Sequence, residues 1–544
     1  MDTDVLIIGA GASGLAAALA AHDAGASVTI FEKADLLGGT AAISGGVVWM
    51  AQNHLMAGAG ITDSREDALS YFKGLDHGDM DDACLEAFID EGPGALKFLA
   101  DLGAYAPILM ETYPDYYLTR PGAKPDGGRA LDNAMFDFTE LGDWAGKVYD
   151  GGTTPRMMLK ETPLGGASGI IDPDEAADRE RRDARAWGQA LIGRLLKACL
   201  ARDIEPQLKH RALELHKEGS AVTGATFEGP AGTVSVHAKT VILATGGFEW
   251  DKDLSQTFLR GPMTTPNSPP GNTGDGLKMA MAAGAALGNM TSAWWMTSLT
   301  APGDTWPALN GVEDAPRAVP VLIERTLPHT LMVNRQGKRF CNEAQNYSAL
   351  AGAFQSFNPN TYDYDNLPAY LIFDQNYRDK YPLASLFPGM PTPNWIASAK
   401  TPEELAEKIG VDGAGLKQTI SHFNDAAGKG EDDAFGRGNG AYDSFYGDRS
   451  RPGAAATLGA LDKPPYYAVE ITMGALGTNG GAKTDNKARV ASISGGMING
   501  LYAAGNVMAG ATGSVYAGAG GTLGPALTFG VIAGREAAAK AKGD

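Results

Sequence analysis

The sequence is poor in cysteine, and its three cysteines lie far apart. Cys84, Cys199 and Cys341 form no CxxC pair within the 544 residues. Disulfide frameworks and zinc sites both need cysteines in closely spaced groups. The sequence therefore favours neither, we assign no metal ligands, and we expect a reduced compartment.

Positive charge is also scarce, with 45 Lys and Arg residues against 64 Asp and Glu residues, a formal net charge of −19. An acidic surface repels nucleic acids and anionic lipids, so we expect no nucleic-acid partner. No apolar run is long enough to span a bilayer, and the first residues show no basic region typical of a signal peptide. We therefore expect a cytoplasmic protein without a membrane anchor. Its length predicts two or three domains.

Glycine, by contrast, is abundant, and its 72 copies cluster in short motifs. The N-terminal stretch "DVLIIGAGASGLAAALAAHDAGASVTIFEK" predicts a strand at Val5–Ile8, a glycine turn, a helix at Leu15–Ala24 and a second strand at Ser27–Phe31. In a G-x-G-x-x-G turn the glycines permit a tight turn, close approach of a pyrophosphate, and close packing of helix on strand. An acid at the end of the second strand, here Glu32, is suited to bind ribose hydroxyls. These features together predict a dinucleotide site, whereas a plain glycine turn would leave the acid unexplained.

Further glycine motifs distinguish FAD from NAD. They are "GGTAAISGG" (38–46), "TVILATGGF" (240–248), a Gly-Asp-Gly loop opening a helix (274–276) and "GLYAAGNVMAG" (500–510). Together they resemble the FAD-binding domain shared by the fumarate reductase and 3-ketosteroid dehydrogenase flavoproteins. The motifs and this resemblance assign FAD contacts to Gly9, Gly11, Ala12, Ser13, Gly14, Glu32, Lys33, Gly39, Thr40, Ser44, Gly45, Gly46, Ala244, Thr245, Gly246, Asp275, Gly505, Asn506, Gly521 and Leu523.

The same resemblance implies an α/β fold with a discontinuous, Rossmann-type FAD-binding domain. That domain would comprise residues 1–296 and 464–544, and an α+β catalytic domain would be inserted at 297–463. Related enzymes attach flavin covalently through a histidine that residues 38–50 lack, so we expect non-covalent FAD. Within the inserted segment, the polar stretch 432–445 is expected to be a surface loop.

Near the C-terminus, "GSVYAGAGGTLGPALTFG" (513–530) surrounds Tyr516 with glycines. A helix is predicted to begin near Leu523, because Pro525 suits a first turn. Its positive end would stabilise the negative charge of a reduced flavin, and the glycines would let the flavin lie against bare backbone.

Together with "GKRFCNEAQNY", "PDYYLTRPGAKPDGGR" and "AWW", this stretch resembles the 3-ketosteroid dehydrogenases that introduce a ring double bond. The resemblance implies a carbonyl-binding pair, Tyr516 and Gly520, and a base, Tyr347. It also implies an assisting tyrosine, for which Tyr116 is the first choice and Tyr117 the second.

This set of groups suits the chemistry of desaturation next to a carbonyl. A phenol and a backbone N–H can stabilise an enolate, a second phenol can take the α-proton, and flavin N5 can accept hydride from the β-carbon. A free phenol has a pKa near about 10, so the base needs help, which a neighbouring phenol can give. Trp294 and Trp295 are expected to flank a flat ring.

Several alternatives stay open. The family usually has proline where this chain has Ala519, and Gly521 is also small, so the substrate is either a ketosteroid or a small cyclic ketone such as cyclohexanone. Desaturation of a steroid at Δ4 is a further variant. A reductase of fumarate or urocanate type is disfavoured, because those enzymes resemble one another in having arginine where this chain has Tyr347. A non-catalytic flavin-binding protein would need no converging tyrosines. The expected electron acceptor is external: a quinone, an electron-transfer protein or oxygen.

Overall fold

The computed structural model describes residues 2–543 and contains two main sheets. The first has seven strands, with a parallel centre formed by Val28–Phe31, Asp2–Ile8, Gly232–Leu243 and Met497–Ala503. Val5, Leu6 and Ile7 are fully buried, as expected for a strand covered on both faces. The remaining strands of this sheet are Ala221–Gly229, Arg211–Glu218 and Arg489–Ala491.

Three helices pack near the glycine turn of this sheet: Ala12–Asp23, Trp187–Leu200 and Leu523–Lys542. The first and last of them lie in backbone contact. A Cβ atom on Gly530 would stand 2.6 Å from the carbonyl oxygen of Ser13, and one on Gly534 would stand 2.3 Å from that of Ala17. These two helices therefore meet beside the N-terminal turn.

The second sheet has six antiparallel strands: Val319–Pro320, Ala293–Leu299, Tyr466–Thr478, Ala369–Asp374, Thr330–Val333 and Ala397–Ala399. Helices Pro402–Ile409 and Gly413–Lys429 pack against it through the apolar cluster around Phe423. The proposed domain division at 296/297 and 463/464 stays a prediction. The first boundary falls inside Ala293–Leu299, and Tyr466–Thr478 also belongs to this second sheet.

Shorter elements connect these layers. The other α-helices are Gly39–Ile43, Arg65–Lys73, Asp82–Asp101, Pro173–Arg181, Lys252–Phe258, Asp275–Ala283, Ala351–Phe354, Gln375–Lys380 and Ala441–Phe445. Short 3₁₀ turns are Ala57–Ala59, Phe138–Lys147, Leu159–Glu161, Pro163–Gly165, Gly453–Ala456 and Gly505–Val507. The small strands are Val48–Trp49, Pro107–Leu109, Ala130–Asn133, Phe136–Asp137, Ala184–Arg185, Leu287–Gly288, Gly481–Ala482, Phe357–Asn358 and Asp363–Tyr364. Within residues 2–543, no helix has the length and apolar character needed to cross a bilayer.

The stretch 432–445 is only partly the surface loop that its polar composition predicted, because exposed residues alternate in it with buried charges. Asp432 is 3% exposed and Arg437 is fully buried. Arg339 pairs with Asp432 at 2.9 Å, and Arg437 pairs with the buried Glu343 at 3.2 Å. Burial of these charges is tolerated because each meets an opposite charge from a distant part of the chain.

Candidate active site

The glycine motifs and the tyrosines line one cavity of about 920 Å³. Most of the residues predicted for the site line it, namely Gly9, Gly11, Ala12, Ser13, Glu32, Lys33, Gly39, Thr40, Ser44, Gly45, Gly46, Ala244, Thr245, Gly246, Asp275, Gly505, Asn506, Leu523, Tyr116, Tyr347, Tyr516 and Gly520. Three predicted residues lie off this wall: Gly14, Gly521 and Tyr117.

The glycines of the N-terminal turn differ in what requires them. Gly9 has φ +109°, and a Cβ atom there would stand 2.3 Å from the carbonyl oxygen of Ala244. A Cβ atom on Gly14 would stand 2.0 Å from the carbonyl oxygen of Gly9, so both glycines serve packing within the protein. At Gly11 the nearest protein atom, the carbonyl oxygen of Gly38, would be 4.0 Å away. The space next to Gly11 is therefore part of the cavity, where a cofactor can approach the backbone.

The polar groups around this turn fit a dinucleotide. Helix Ala12–Asp23 has no side-chain cap, so its first N–H groups are available to phosphate oxygens. The carboxylate of Glu32 accepts N–H bonds from Ala10 and Ala34, each at 2.9 Å, which fixes it at the cavity wall. The buried hydroxyl of Thr245 has no hydrogen-bond partner in the described part of the chain. A dinucleotide can use all of these groups.

A second helix opens on the same cavity. The helix Leu523–Lys542 begins where the sequence predicted, and no side chain caps its N-terminus. Just before it, Gly520 has φ +88°, and a Cβ atom there would stand 2.4 Å from the carbonyl oxygen of Val47. Only glycine therefore allows this segment to lie against the neighbouring strand with its N–H facing Tyr516.

Three tyrosines from distant parts of the chain converge beside this helix. The hydroxyl of Tyr116 donates to the hydroxyl of Tyr347 at 3.1 Å. The ring of Tyr516 stacks on Tyr116 with centroids 5.7 Å apart, and it meets Tyr347 edge-on at 5.4 Å. All three side chains are buried, so each hydroxyl acts in a medium of low polarity.

Burial controls the acidity of these phenols. It raises the pKa of Tyr347 well above that of a free phenol, and the hydrogen bond from Tyr116 opposes the rise. Burial also raises the pKa of Tyr516, opposed by hydrogen bonds from Tyr347, Thr522 and the N–H of Gly520. Neither group ionises spontaneously near neutral pH, so the stabilising neighbours decide which phenolate can form.

The two tyrosines of the Asp-Tyr-Tyr stretch point to different places. Tyr116 lines the cavity, and its N–H donates to the carbonyl of Ala517 at 3.0 Å. Tyr117 lies off the cavity, where its N–H donates to the Tyr71 hydroxyl at 3.1 Å and burial raises its pKa to about 12. The preceding Asp115 fixes this arrangement, because its carboxylate accepts from Trp49 and Arg129, both at 2.8 Å.

The paired tryptophans support the site without lining it. Trp294 meets the ring of Tyr516 edge-on at 5.5 Å and donates to the side chain of Asn506 at 3.3 Å. Trp295 is part of the apolar core of the second sheet. Neither belongs to the cavity wall, so the expectation that they flank a flat ring is not supported.

The sequence and the fold of the chain are similar to those of known proteins. Residues 4–523 match the FAD binding domain family. The chain belongs to this family.

The flavoprotein is similar to two groups of ketone dehydrogenases. It is 39% identical to 4-oxocyclohexanecarboxylate 2-dehydrogenase of Sinomonas cyclohexanicum, over 99% of this chain and 93% of that protein. It is 35% identical to 3-oxosteroid 1-dehydrogenase of Mycobacterium tuberculosis, over 97% of each chain. The crystal structure of 3-ketosteroid delta1-dehydrogenase from Sterolibacterium denitrificans, in complex with 1,4-androstadiene-3,17-dione, superimposes with a TM-score of 0.88 at 34% identity over 99% of each chain. The predictions of FAD and of an α/β flavoprotein fold are confirmed.

Sequence reasoning missed several groups around the flavoprotein's tyrosines. The hydroxyls of Tyr113 and Tyr446 are in direct hydrogen-bond contact, and Tyr442 meets Tyr116 edge-on at 5.1 Å. Behind them, Arg325 is fully buried and donates to the carbonyl of Gln345 at 2.7 Å. Tyr113 precedes the Asp-Tyr-Tyr stretch by two residues, which was a usable signal. The others lie in segments that read as loops.

Proposed function

We propose that the flavoprotein desaturates a cyclic ketone between its α- and β-carbons. The observation that carries this proposal is the convergence of Tyr116, Tyr347 and Tyr516 beside the N-terminus of helix Leu523–Lys542, on the wall shared with the dinucleotide turn.

We assign each residue a role that its position supports. The hydroxyl of Tyr516 and the N–H of Gly520 bind the carbonyl oxygen and stabilise the enolate that forms there. Tyr347 takes the α-proton, and the hydrogen bond from Tyr116 stabilises the resulting phenolate. When bound, FAD supplies the acceptor for the hydride that leaves the β-carbon. The surrounding apolar residues exclude water from the developing charge.

The class of substrate is supported by the relatives, whose names give cyclic oxo compounds of two sizes: an oxocyclohexanecarboxylate and a 3-oxosteroid. Ala519 lines the cavity beside Tyr516 and Gly520, so the region next to the reacting ring is bordered by a small side chain. Reduction of an unsaturated acid is disfavoured, because position 347 carries a phenol and not a proton-delivering arginine. We further propose non-covalent FAD, an external electron acceptor (a quinone, an electron-transfer protein or oxygen) and a cytoplasmic location.

The first experiment is an anaerobic titration of the oxidised flavin, with a 3-ketosteroid and separately with cyclohexanone. Bleaching of the flavin absorbance by either ketone supports the desaturase, and the ketone that bleaches it identifies the ring system. The variant Tyr347→Phe should lose most of this bleaching rate, whereas Tyr117→Phe, which alters a phenol off the cavity, should keep it. If neither ketone bleaches the flavin and the dithionite-reduced protein is reoxidised by fumarate or urocanate, the reductase replaces our proposal. Denaturation should release the yellow colour, because the flavin is not covalently held.

A further inference from the structure

Arg449 lies on the cavity wall without a carboxylate partner. Its Nε donates to the carbonyl of Phe445 at 3.2 Å and its Nη1 to the carbonyl of Gly166 at 2.6 Å. The guanidinium carbon lies 4.4 Å from the centroid of the Phe445 ring. Within residues 2–543 no ion pair includes Arg449, and partial desolvation of its guanidinium lowers its pKa. The guanidinium is thus held in place by neutral groups, with Nη2 left over to bind an anion.

Arg449 belongs to the tyrosine end of the cavity. The Phe445 ring, over which the guanidinium lies, packs against Tyr113 with ring centroids 4.6 Å apart. Both rings are members of the apolar cluster that contains Tyr347 and Tyr516. Arg449 itself is exposed, so it stands where this cluster meets solvent. The tyrosine cluster and this cation therefore line one cavity, with the hydroxyls buried and the guanidinium on the solvent side.

The other cations of the cavity wall are placed differently. Lys33 is paired with Asp275 at 3.1 Å, next to the dinucleotide turn. Arg317 lies over the ring of Trp306 at 4.7 Å and donates to the carbonyl of Gly151 at 3.3 Å, outside the tyrosine cluster.

Besides Glu32 and Asp275 at the dinucleotide turn, two further carboxyl groups line the cavity, those of Asp448 and Glu324. Asp448 is occupied by the ammonium of Lys380 and by the hydroxyl of Tyr381, the latter at 2.6 Å. Burial raises the pKa of Glu324, which favours its neutral form. The negative charges nearby are thus compensated or suppressed, and the charge of Arg449 remains available.

We propose that Arg449 binds a carboxylate carried by the substrate ring, opposite the ketone. The proposal rests on the proposed function and narrows its substrate class to oxocyclohexanecarboxylates. A guanidinium forms strong, directed hydrogen bonds to carboxylates, and one already held by carbonyls loses little entropy on binding. The relative at 39% identity is named for a substrate of this class.

The test compares two ketones that differ in the carboxylate. KM for 4-oxocyclohexanecarboxylate and for cyclohexanone is measured on the holoenzyme with an artificial electron acceptor. In Arg449→Gln the ratio of the two KM values, carboxylate over cyclohexanone, should rise about tenfold, and Arg449→Lys should recover part of the loss. The matched control is Arg451→Gln, which removes a neighbouring arginine that is not part of the cavity wall. The inhibition constant of cyclohexanecarboxylate, which has no ketone, should follow the same order and report binding without chemistry.

Each other result is decisive. If Arg449→Gln leaves the ratio unchanged, Arg449 does not bind a carboxylate. If Arg449→Gln raises KM equally for both ketones, Arg449 serves only to position the segment around Gly166, and the inference is wrong. If the wild-type flavin is bleached by a 3-ketosteroid and by neither cyclohexane ketone, the desaturase stands and the carboxylate site falls. If no ketone bleaches the wild-type flavin, the proposed function is wrong, and the inference that rests on it is wrong as well.

Discussion

Replacing Gly11 with alanine separates the needs of the cofactor from those of the fold. The backbone at this position has φ −83° and ψ −172°, a conformation that alanine adopts without strain. The added methyl group would meet no protein atom closer than 4.0 Å. We therefore expect the free energy of unfolding of the Gly11→Ala apoprotein to lie within about 0.5 kcal/mol of the wild-type value.

The same methyl group would occupy space that the bound pyrophosphate needs. Forcing an extra methyl group into a filled site costs about 1–3 kcal/mol. The dissociation constant for FAD should accordingly rise about 5- to 140-fold. Binding of FAD to apoprotein is followed by quenching of flavin fluorescence, and stability by urea denaturation of the same preparation.

Two variants frame the result. Gly94 lies within helix Asp82–Asp101, where an added Cβ atom meets nothing within 4 Å. Gly94→Ala should therefore lower neither the affinity for FAD nor the stability of the apoprotein. Gly14→Ala should destabilise the apoprotein itself, because its methyl group would stand 2.0 Å from the carbonyl oxygen of Gly9. If Gly11→Ala binds FAD as tightly as the wild type, the pyrophosphate does not lie at this turn and our placement of the cofactor is wrong.

Three further predictions concern the tyrosines, a buried ion pair and the thiols. Tyr116→Phe removes the donor that lowers the pKa of Tyr347, so the pKa rises and flavin reduction by ketone should slow about tenfold or more at every pH below it, while Tyr117→Phe keeps the wild-type pH–rate profile. The side chain of Asp63 is 1% exposed and is paired with Arg129 at 2.7 Å. Burial acts to raise the pKa of Asp63, but Arg129 holds that pKa below its usual value. The pair therefore stabilises the fold above the unfolded-state pKa of about 3.9 and ceases to do so as pH falls through the folded-state value, so Asp63→Asn should lose about 3 kcal/mol in urea denaturation at pH 7 and less in acid. Burial raises the pKa of two of the three cysteine thiols to about 12, so a disulfide reagent at pH 8 should label none in the native protein and all three after denaturation; rapid native labelling would contradict the packing.

The parts of the fold that local sequence determines were predictable. The glycine turn, its flanking strands and the start of helix Leu523–Lys542 each depend on a few consecutive residues. The boundaries were less accurate: the first helix begins at Ala12 and not at Leu15, because it starts directly after the extended Gly11. Tyr516 and Tyr347 came from a family pattern, and the structure places both on the cavity wall.

What escaped prediction depends on residues that are distant in sequence. The charged residues of the stretch 432–445 predict an exposed segment. Only the fold shows that they pair with Arg339 and Glu343. Doubled Tyr116 and Tyr117 are equivalent in the sequence, and only the contacts made by Asp115 and Ala517 give them different surroundings. Neither the burial of these charges nor the difference between the two tyrosines can be predicted from the neighbouring residues in the sequence.

The position of strand Met497–Ala503 in the first sheet has a consequence for the timing of synthesis. Within residues 2–543 this is the last strand in sequence order, and it lies beside Gly232–Leu243 in the middle of the sheet. A ribosome making about 5–20 residues per second needs roughly 13–50 s to go from one strand to the other. During that interval the nascent protein carries a half-built sheet whose open central edge can pair with other chains. The flavin pocket is completed only after helix Leu523–Lys542 has been made, so cofactor loading follows the synthesis of that helix.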